Sequence, residues 1–249
     1  MKILNKIEND DIAISWDEIA NIRYEEINSG RDTTYNHILM PIFHHELKSL
    51  KPKKVLDAGC GLGFITKDIS KFSKYVVGVD LSSRSIDMAR QHNSSENIEY
   101  KCSSVEGLKY IEEFDVVISN MVLMDCVDHR SFLRACYKML APGGTLIATI
   151  TNPNVWPRYW GYEKYSWFSY HSTIHILAEF QSSGAGKSGH KAIHTHRPLS
   201  DYLNAFSETG FEMLNISEIT GSIVRSKIIS KLPRYIKFKF TKTTNGAML

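Results

Sequence analysis

The chain has 249 residues, which fits one large domain with an insertion as well as two small ones. With 43% hydrophobic and 23% charged residues it is not a disordered chain, and at this length about three quarters of the unfolded surface can be buried without staples. A net charge of +3 does not by itself imply nucleic acid, and four cysteines (Cys60, Cys102, Cys126, Cys136) with no CxxC pair are not a disulfide or zinc framework. The opening MKILNKIENDDIAISWDEIA has acids where a signal peptide needs an apolar core, and no apolar run reaches about 18 residues. A soluble, cytoplasmic protein with no membrane span is expected.

Residues 12–50 carry helical periodicity in two stretches, one around Ile12, Trp16 and Ile19 and one around Ile38, Ile42, Phe43 and Leu47, with a break at 28–32. From residue 55 onward, strands alternate with helices. Apolar runs predict strands at 55–58, 75–79, 98–101, 114–119 and 144–151, and helical patterns fall between them at 64–72, 83–92, 104–111 and 129–140. Asp128 is placed to cap the last of these helices, and Ala141-Pro142-Gly143-Gly144 to stop it. Such alternation means βαβ units and a parallel sheet. Residues 152–198 show no clean period but many aromatics, among them Trp156, Tyr159, Trp160, Tyr162 and Trp167. Within them 181–190 reads as a flexible loop, and a helix at 199–209 and strands at 211–219 and 235–241 close the chain.

The strongest local signal is Val55-Leu-Asp57-Ala-Gly59-Cys-Gly61-Leu-Gly63. A strand running into a tight glycine turn that opens a helix lets backbone approach a ligand at the helix N-terminus. The next strand ends at Asp80, a position from which a carboxylate can accept both hydroxyls of a ribose. A dinucleotide fingerprint would need glycine at position 64, which is Phe. Asp57 beside the turn repels a pyrophosphate but suits an ammonium, so a zwitterionic nucleoside such as S-adenosylmethionine fits better than NAD.

The segments VLDAGCGLG, VVGVDLS, FDVVISNMVLMDCVD and LAPGGTLIATI, in that order, resemble the successive signatures of class I S-adenosylmethionine-dependent methyltransferases, closest to the small-molecule branch of ubiquinone-type and natural-product enzymes. The resemblance runs from about residue 16 to 241. It implies an α/β, Rossmann-like three-layer sandwich: a seven-stranded, mostly parallel sheet with an antiparallel last strand, N-terminal helices and an aromatic lid insertion. It further implies a single methyltransferase domain with a helical cover at 1–50, a cofactor-binding core at 51–151, a substrate lid at 152–198 and completion of the sheet at 199–249. Carried over residue by residue, Asp57, Gly59 and Gly61 would line the methionine moiety of S-adenosylmethionine, Asp80 would hold the ribose and Leu81 would pack on the adenine. Ser104 and Val105 would supply backbone and packing beside it, and Asn120 would meet the methionine amino group through its carbonyl. Ser103 stands where relatives often carry an acid for the adenine amino group.

The acceptor is expected to be a small molecule, aromatic or amphipathic in keeping with the aromatic lid, methylated at oxygen, with nitrogen next. Among the clustered histidines, His196 before Arg197-Pro198 is the first candidate base or positioning residue and His171 the second, with Tyr170 beside it. Against these stand ordinary roles in capping and hydrogen bonding. Asp125 and Asp128 read as helix caps rather than metal ligands, and no metal is expected. Gly184-Ala-Gly186-Lys187-Ser188 only imitates a phosphate loop, since position 181 is Gln. The basic stretch from Arg225 to Lys242, in which Tyr-Ile-Lys-Phe-Lys-Phe alternates, reads as an edge strand with outward lysines; its functional alternative is an anionic partner such as RNA. An RNA (tRNA) methyltransferase and a non-catalytic cofactor-binding protein therefore stay open as rivals, and a homodimer is allowed.

Overall fold

The computed structural model describes residues 1–183, 189–220 and 231–244, and the backbone alone at 186–188. Among the described residues there are ten strands and seven α-helices. The main sheet has the order β4-β3-β2-β5-β6-β10-β9, made of β2 (Lys54–Ala58), β3 (Tyr75–Asp80), β4 (Ile98–Cys102), β5 (Phe114–Asn120), β6 (Leu140–Thr151), β9 (Phe211–Thr220) and β10 (Pro233–Lys242). Pairing is parallel from β4 to β6, and β10 runs antiparallel to both β6 and β9. This is the expected Rossmann-like three-layer sandwich.

Period-two alternation fixes what each face buries. Leu56, Val77 and Val117 turn towards α5 (His129–Met139) and α7 (Leu199–Thr209), where Phe132, Leu133, Tyr202 and Phe206 complete the larger core. Val55, Val76, Val116 and Ile118 turn the other way, towards α2 (Met40–Leu50) and α3 (Phe64–Ile69), and pack on Phe43, Leu47, Ile65 and Ile69. A fifth sheet-flanking helix, α4 (Ser83–His92), follows β3 and is capped by the Ser82 hydroxyl, which accepts from the Ser85 N–H at 3.0 Å. Asp128 caps α5 in the same way, accepting from the Ser131 N–H at 3.0 Å.

A second, antiparallel sheet has the order β1-β7-β8, from β1 (Lys2–Leu4), β7 (Ile174–Ser182) and β8 (Gly186–His196). It lies with α1 (Asn9–Asn28) over the carboxyl ends of the parallel strands: Ile7, Ile12 and Ile193 bury together against Leu81 and Val127. The short α6 (Trp156–Trp160) precedes the hairpin.

Four local expectations are corrected. The loop expected at 181–190 is largely hairpin strand, with Gln181 paired to Lys187 and Ser182 to Gly186. The helix expected at 104–111 is a single tight turn over Val105–Gly107, because the Ser104 hydroxyl accepts from the Gly107 N–H at 3.1 Å and glycine resists helix continuation. The strand expected from 144 begins at Leu140; the pairing shifts between Phe114 and Val116, so Pro142-Gly143-Gly144 becomes an irregularity inside β6. Finally, β10 is an interior strand. Lys237 and Lys239 donate to Glu46 of α2 at 2.6 and 2.7 Å, and β9 is the edge. Arg225 and Lys227 of that basic stretch lie outside the described residues.

Candidate active site

The glycine turn sits at the carboxyl end of β2, between β3 and β5, where the strand order reverses and an open α/β sheet leaves a crevice. Gly59 has φ of +83°, and a Cβ there would collide with the Val122 side chain. Gly61 has φ of +51°, and no heavy atom comes within 4 Å of where its Cβ would stand, so this side of the turn is open to a ligand. Asp80 braces the turn: one carboxylate oxygen accepts from the Gly61 N–H at 2.8 Å and the other from the Ser82 N–H at 2.9 Å. One bond per oxygen leaves lone pairs for two further hydroxyls. Burial raises the Asp80 carboxyl above its usual range, although these N–H groups pull against it.

Asp57 lies on the α3 side of β2 and accepts the Thr66 hydroxyl at 2.6 Å. Burial pushes its carboxyl up to about 7, the Thr66 hydrogen bond opposes the rise, and the nearby Asp80 charge adds to it. A buried acid this high is complementary to a cation brought to it.

Asp57, Gly59, Gly61, Asp80, Leu81, Ser104, Val105 and Asn120 all line a single cavity of about 300 Å³, and Ser103 lines it too. The residues fit a nucleoside with a cationic amino acid tail: one buried and one half-buried carboxylate, an open glycine face, and apolar walls from Leu81 and Val105. The Asn120 side chain is held within the protein, its Oδ1 accepting from the Thr149 hydroxyl at 2.8 Å, and Met121 next to it has φ of +60°.

The histidines fall differently from the sequence expectation. His196 is buried away from the cavity, packed edge-on to Phe168, Tyr170 and Tyr162. Its Nε2–H donates to the Tyr170 carbonyl at 3.0 Å, which leaves Nδ1 to accept the Tyr162 hydroxyl at 3.4 Å. Burial lowers its pKa to about 4, so this imidazole stays neutral. His171 is exposed, and neither His171 nor Tyr170 lines the cavity. Two residues before His196, on the same face of β8, stands His194. His194 lines the cavity, and its Nδ1 is 3.7 Å from the carboxylate of buried Asp125. Asp125 is thus not the helix cap it was expected to be. It sits in the turn after β5, its N–H donating to the Val122 carbonyl at 2.7 Å, and burial raises its carboxyl while His194 opposes the rise.

The aromatic stretch divides. Trp156, Tyr159 and Trp160 line the cavity, whereas Tyr162, Tyr165 and Trp167 stack on one another outside it. From the N-terminal stretch expected as a cover, Trp16, Arg23, Asp32 and Tyr35 line the cavity as well, and sequence reasoning singled out none of them as a site residue. The only sequence signal available was Trp16 and Arg23 lying seven residues apart on one helix face.

An open parallel sheet whose reversal point carries an acid, a glycine turn and a second acid accords with the resemblance to class I S-adenosylmethionine-dependent methyltransferases, and S-adenosylmethionine is the cofactor of that class. Residues 56–148 match the family model described as a methyltransferase domain. Among curated relatives, the ubiquinone biosynthesis O-methyltransferase of Bradyrhizobium diazoefficiens is 36% identical over 110 residues, covering 43% of this chain and 44% of the relative. The mitochondrial ubiquinone biosynthesis O-methyltransferase of Mus musculus is 34% identical over 149 residues, covering 55% of this chain and 40% of the relative. The matched region thus spans less than half the length of either relative. Among solved structures, the N-methyltransferase NodS of Bradyrhizobium japonicum WM9 in complex with S-adenosyl-L-homocysteine superposes with a TM-score of 0.64 at 16% identity, over 94% of this chain and 99% of that one. At that identity the likeness is one of fold. Among the described residues no helix is long and apolar enough to cross a membrane.

Proposed function

We propose that this chain transfers a methyl group from S-adenosylmethionine to a hydroxyl of a small molecule. The observation that carries the reading is the single cavity on which the eight cofactor-facing residues and the His194–Asp125 pair meet. S-adenosylmethionine, when bound, supplies an electrophilic methyl on a sulfonium, and the protein's task is to position the acceptor and take up its proton. Asp80 would hold the ribose hydroxyls, Asp57 the ammonium, and Leu81 with Val105 the adenine. His194 would accept the hydroxyl proton, and Asp125 would orient the imidazole and stabilise its charged form. The ubiquinone-type relatives, named as O-methyltransferases, support oxygen over nitrogen. A cover of α1 and hairpin over the cavity supports a small acceptor over RNA, as does the pairing of Lys237 and Lys239 with Glu46.

Calorimetric titration with S-adenosylhomocysteine, NAD and ATP tests the cofactor. Micromolar binding of the first alone is expected, and Asp80→Ala should weaken it about ten- to a hundredfold, the loss of a charge-assisted hydrogen bond of roughly 1.5–3 kcal/mol. Binding of NAD instead, or unchanged affinity in the variant, would overturn the assignment. Once a turned-over acceptor is found, His194→Gln should lower kcat about 10²- to 10⁴-fold, the usual worth of a positioned base. Retention of full rate would point to an amine acceptor.

A further inference from the structure

Between β5 and α5 runs a stretch without regular structure, residues 121–128, which brings Met121, Val122, Met124, Asp125 and Cys126 to the cavity. Its turn bonds, from the Asp125 and Cys126 N–H groups at 2.7 and 3.1 Å, both go to the Val122 carbonyl. Leu123 and Met124 are buried, and buried carbonyls need donors. Those donors come from the end of β8. The Thr195 N–H donates to the Met124 carbonyl at 2.9 Å, from the free edge of the small sheet. Arg197 then donates from Nη1 to the Leu123 carbonyl at 3.2 Å, and from Nη2 to the carbonyls of Cys126 at 2.6 Å and Val127 at 3.2 Å. Four of the five carbonyls from Leu123 to Val127 are thus held by one three-residue segment.

Arg197 is 2% exposed, a place where a charged side chain is costly unless it is fully hydrogen-bonded, and it does not line the cavity. It therefore touches neither cofactor nor acceptor, and whatever it does for the reaction passes through the loop it holds. The carbonyls it holds stand on both sides of Asp125 in the chain. A planar, rigid fork of donors can bridge such a set, whereas the single ammonium of a lysine has no matching geometry. His194 immediately precedes the clamping segment, with its Nδ1 3.7 Å from the Asp125 carboxylate. The imidazole of the pair thus stands on β8, and its carboxylate stands on a loop that the next residues of β8 fasten.

We propose that Arg197 is a positioning residue: it fastens the loop after β5 so that the Asp125 carboxylate stays against Nδ1 of His194. This deepens the methyltransferase reading and rests on it for the role of His194 as base. A carboxylate at Nδ1 keeps the ring proton there and leaves Nε2 as the basic nitrogen.

The tautomer can be read without an acceptor. Protein with labelled imidazole nitrogens, saturated with S-adenosylhomocysteine, is observed by NMR above the ordinary histidine pKa of about 6.5. The His194 signals are those lost in His194→Gln. Nδ1–H should dominate in the parent chain, and Asp125→Ala should move the proton towards Nε2. Arg197→Lys keeps a charge and loses the fork; it should lower the ratio of Nδ1–H to Nε2–H at least threefold, with S-adenosylhomocysteine affinity changed less than threefold. Added methylguanidinium should restore the ratio in Arg197→Ala, and methylammonium should not. With a turned-over acceptor in hand, kcat of Arg197→Lys should fall about ten- to a hundredfold at unchanged KM, the usual cost of a misplaced reacting group. An unchanged ratio in both Arg197 variants would overturn the positioning role. So would a ratio that falls only together with S-adenosylhomocysteine affinity and melting temperature, which would make Arg197 a support of the fold alone. A parent chain with its proton on Nε2 would overturn the His194–Asp125 pair and the positioning role with it. Failure of S-adenosylhomocysteine to bind the parent chain is a separate result and would overturn the cofactor reading.

Discussion

At the scale of single residues, Asp57 is the group whose state the site most depends on. Its carboxyl is raised to about 7, chiefly by burial, against an ordinary value near 3.9 in an unfolded chain. The sign for stability follows from which form each state prefers. Between about pH 4 and 7 the unfolded chain ionises Asp57 and the folded one does not, so the contribution is fully present below pH 4 and is lost as pH rises through 7. A bound ammonium reverses the preference by favouring the carboxylate. S-adenosylhomocysteine affinity should therefore fall by up to tenfold per pH unit below 7 and level off above it. Calorimetry at pH 6.5 in two buffers of different ionisation enthalpy should register release of up to one proton. Asp57→Asn should abolish both the slope and the release, and a slope that survives the substitution would assign it to another group.

Histidines show how far single residues could be read from sequence. That one of the clustered histidines faces the site was legible; which one was not, because His194 and His196 share a strand face and differ only in position along it. His196 lies beyond the cavity under Tyr162, Phe168 and Tyr170, and only the pairing of His194 with Ile176 and of His196 with Ile174 shows this. Asp57, Gly59, Gly61 and Asp80 were legible for the opposite reason: their turn is local, fixed by residues a few positions apart and by one parallel pairing of β2 with β3.

Among elements, the alternating core could be read directly because each strand and helix carries its own period. A cover at 1–50 and a lid at 152–198 were expected only through the resemblance, and how they meet was not legible, because their contacts are long-range. Asp32, in the break after α1, accepts the Ser183 hydroxyl at 2.6 Å and Arg23 of α1 at 2.7 Å, while the Thr34 N–H donates to Ser183 at 3.0 Å. Arg23 also lies 5.2 Å from the Phe180 ring of β7, and Trp16 meets that ring edge-on. These contacts tie the hairpin to residues about 150 positions earlier, and glycine and serine near its tip hide the strand signal. Burial raises the Asp32 carboxyl, but the Arg23 charge and the Ser183 and Tyr35 hydrogen bonds outweigh it and hold the group below its ordinary range. The latch is then present above the ordinary carboxylate pKa and weakens as pH falls through the depressed one. Asp32→Ala should cost about 1–3 kcal/mol, the loss of buried charge-assisted bonds, discounted because Glu26 still pairs with Arg23 at 2.7 Å. Hydrogen exchange should quicken in β7 but not in β2 or β3, and equal loss of protection in all three would mean that the latch supports the core rather than the cover.

For the whole molecule, the two sheets are expected to differ in how they open. The main core is continuous: Phe206 stacks on Phe240 at 4.0 Å and meets Phe211 and Phe238, binding α7 to the last two strands. Phe206→Ala should cost about 3–5 kcal/mol and lower protection everywhere. The small sheet instead joins the chain's first strand to β7 through the pairs Lys2–Leu177, Ile3–Ile176 and Leu4–His175, and it packs through Ile174, Ile176 and Ala178 in a separate cluster with Trp156 and Tyr235. Deleting residues 1–5 should therefore loosen β7 and β8 while sparing β2 to β6. A ligand that touches both walls links them: S-adenosylhomocysteine at a hundredfold excess over Kd stabilises its binding state by about 2.7 kcal/mol. Adding it should restore protection in β7 and β8 of the truncated chain to a greater degree than it protects β4, the far edge of the main sheet. Restoration confined to β2 and β3 would mean that the ligand contacts only the core, and that the cover closes for the acceptor alone.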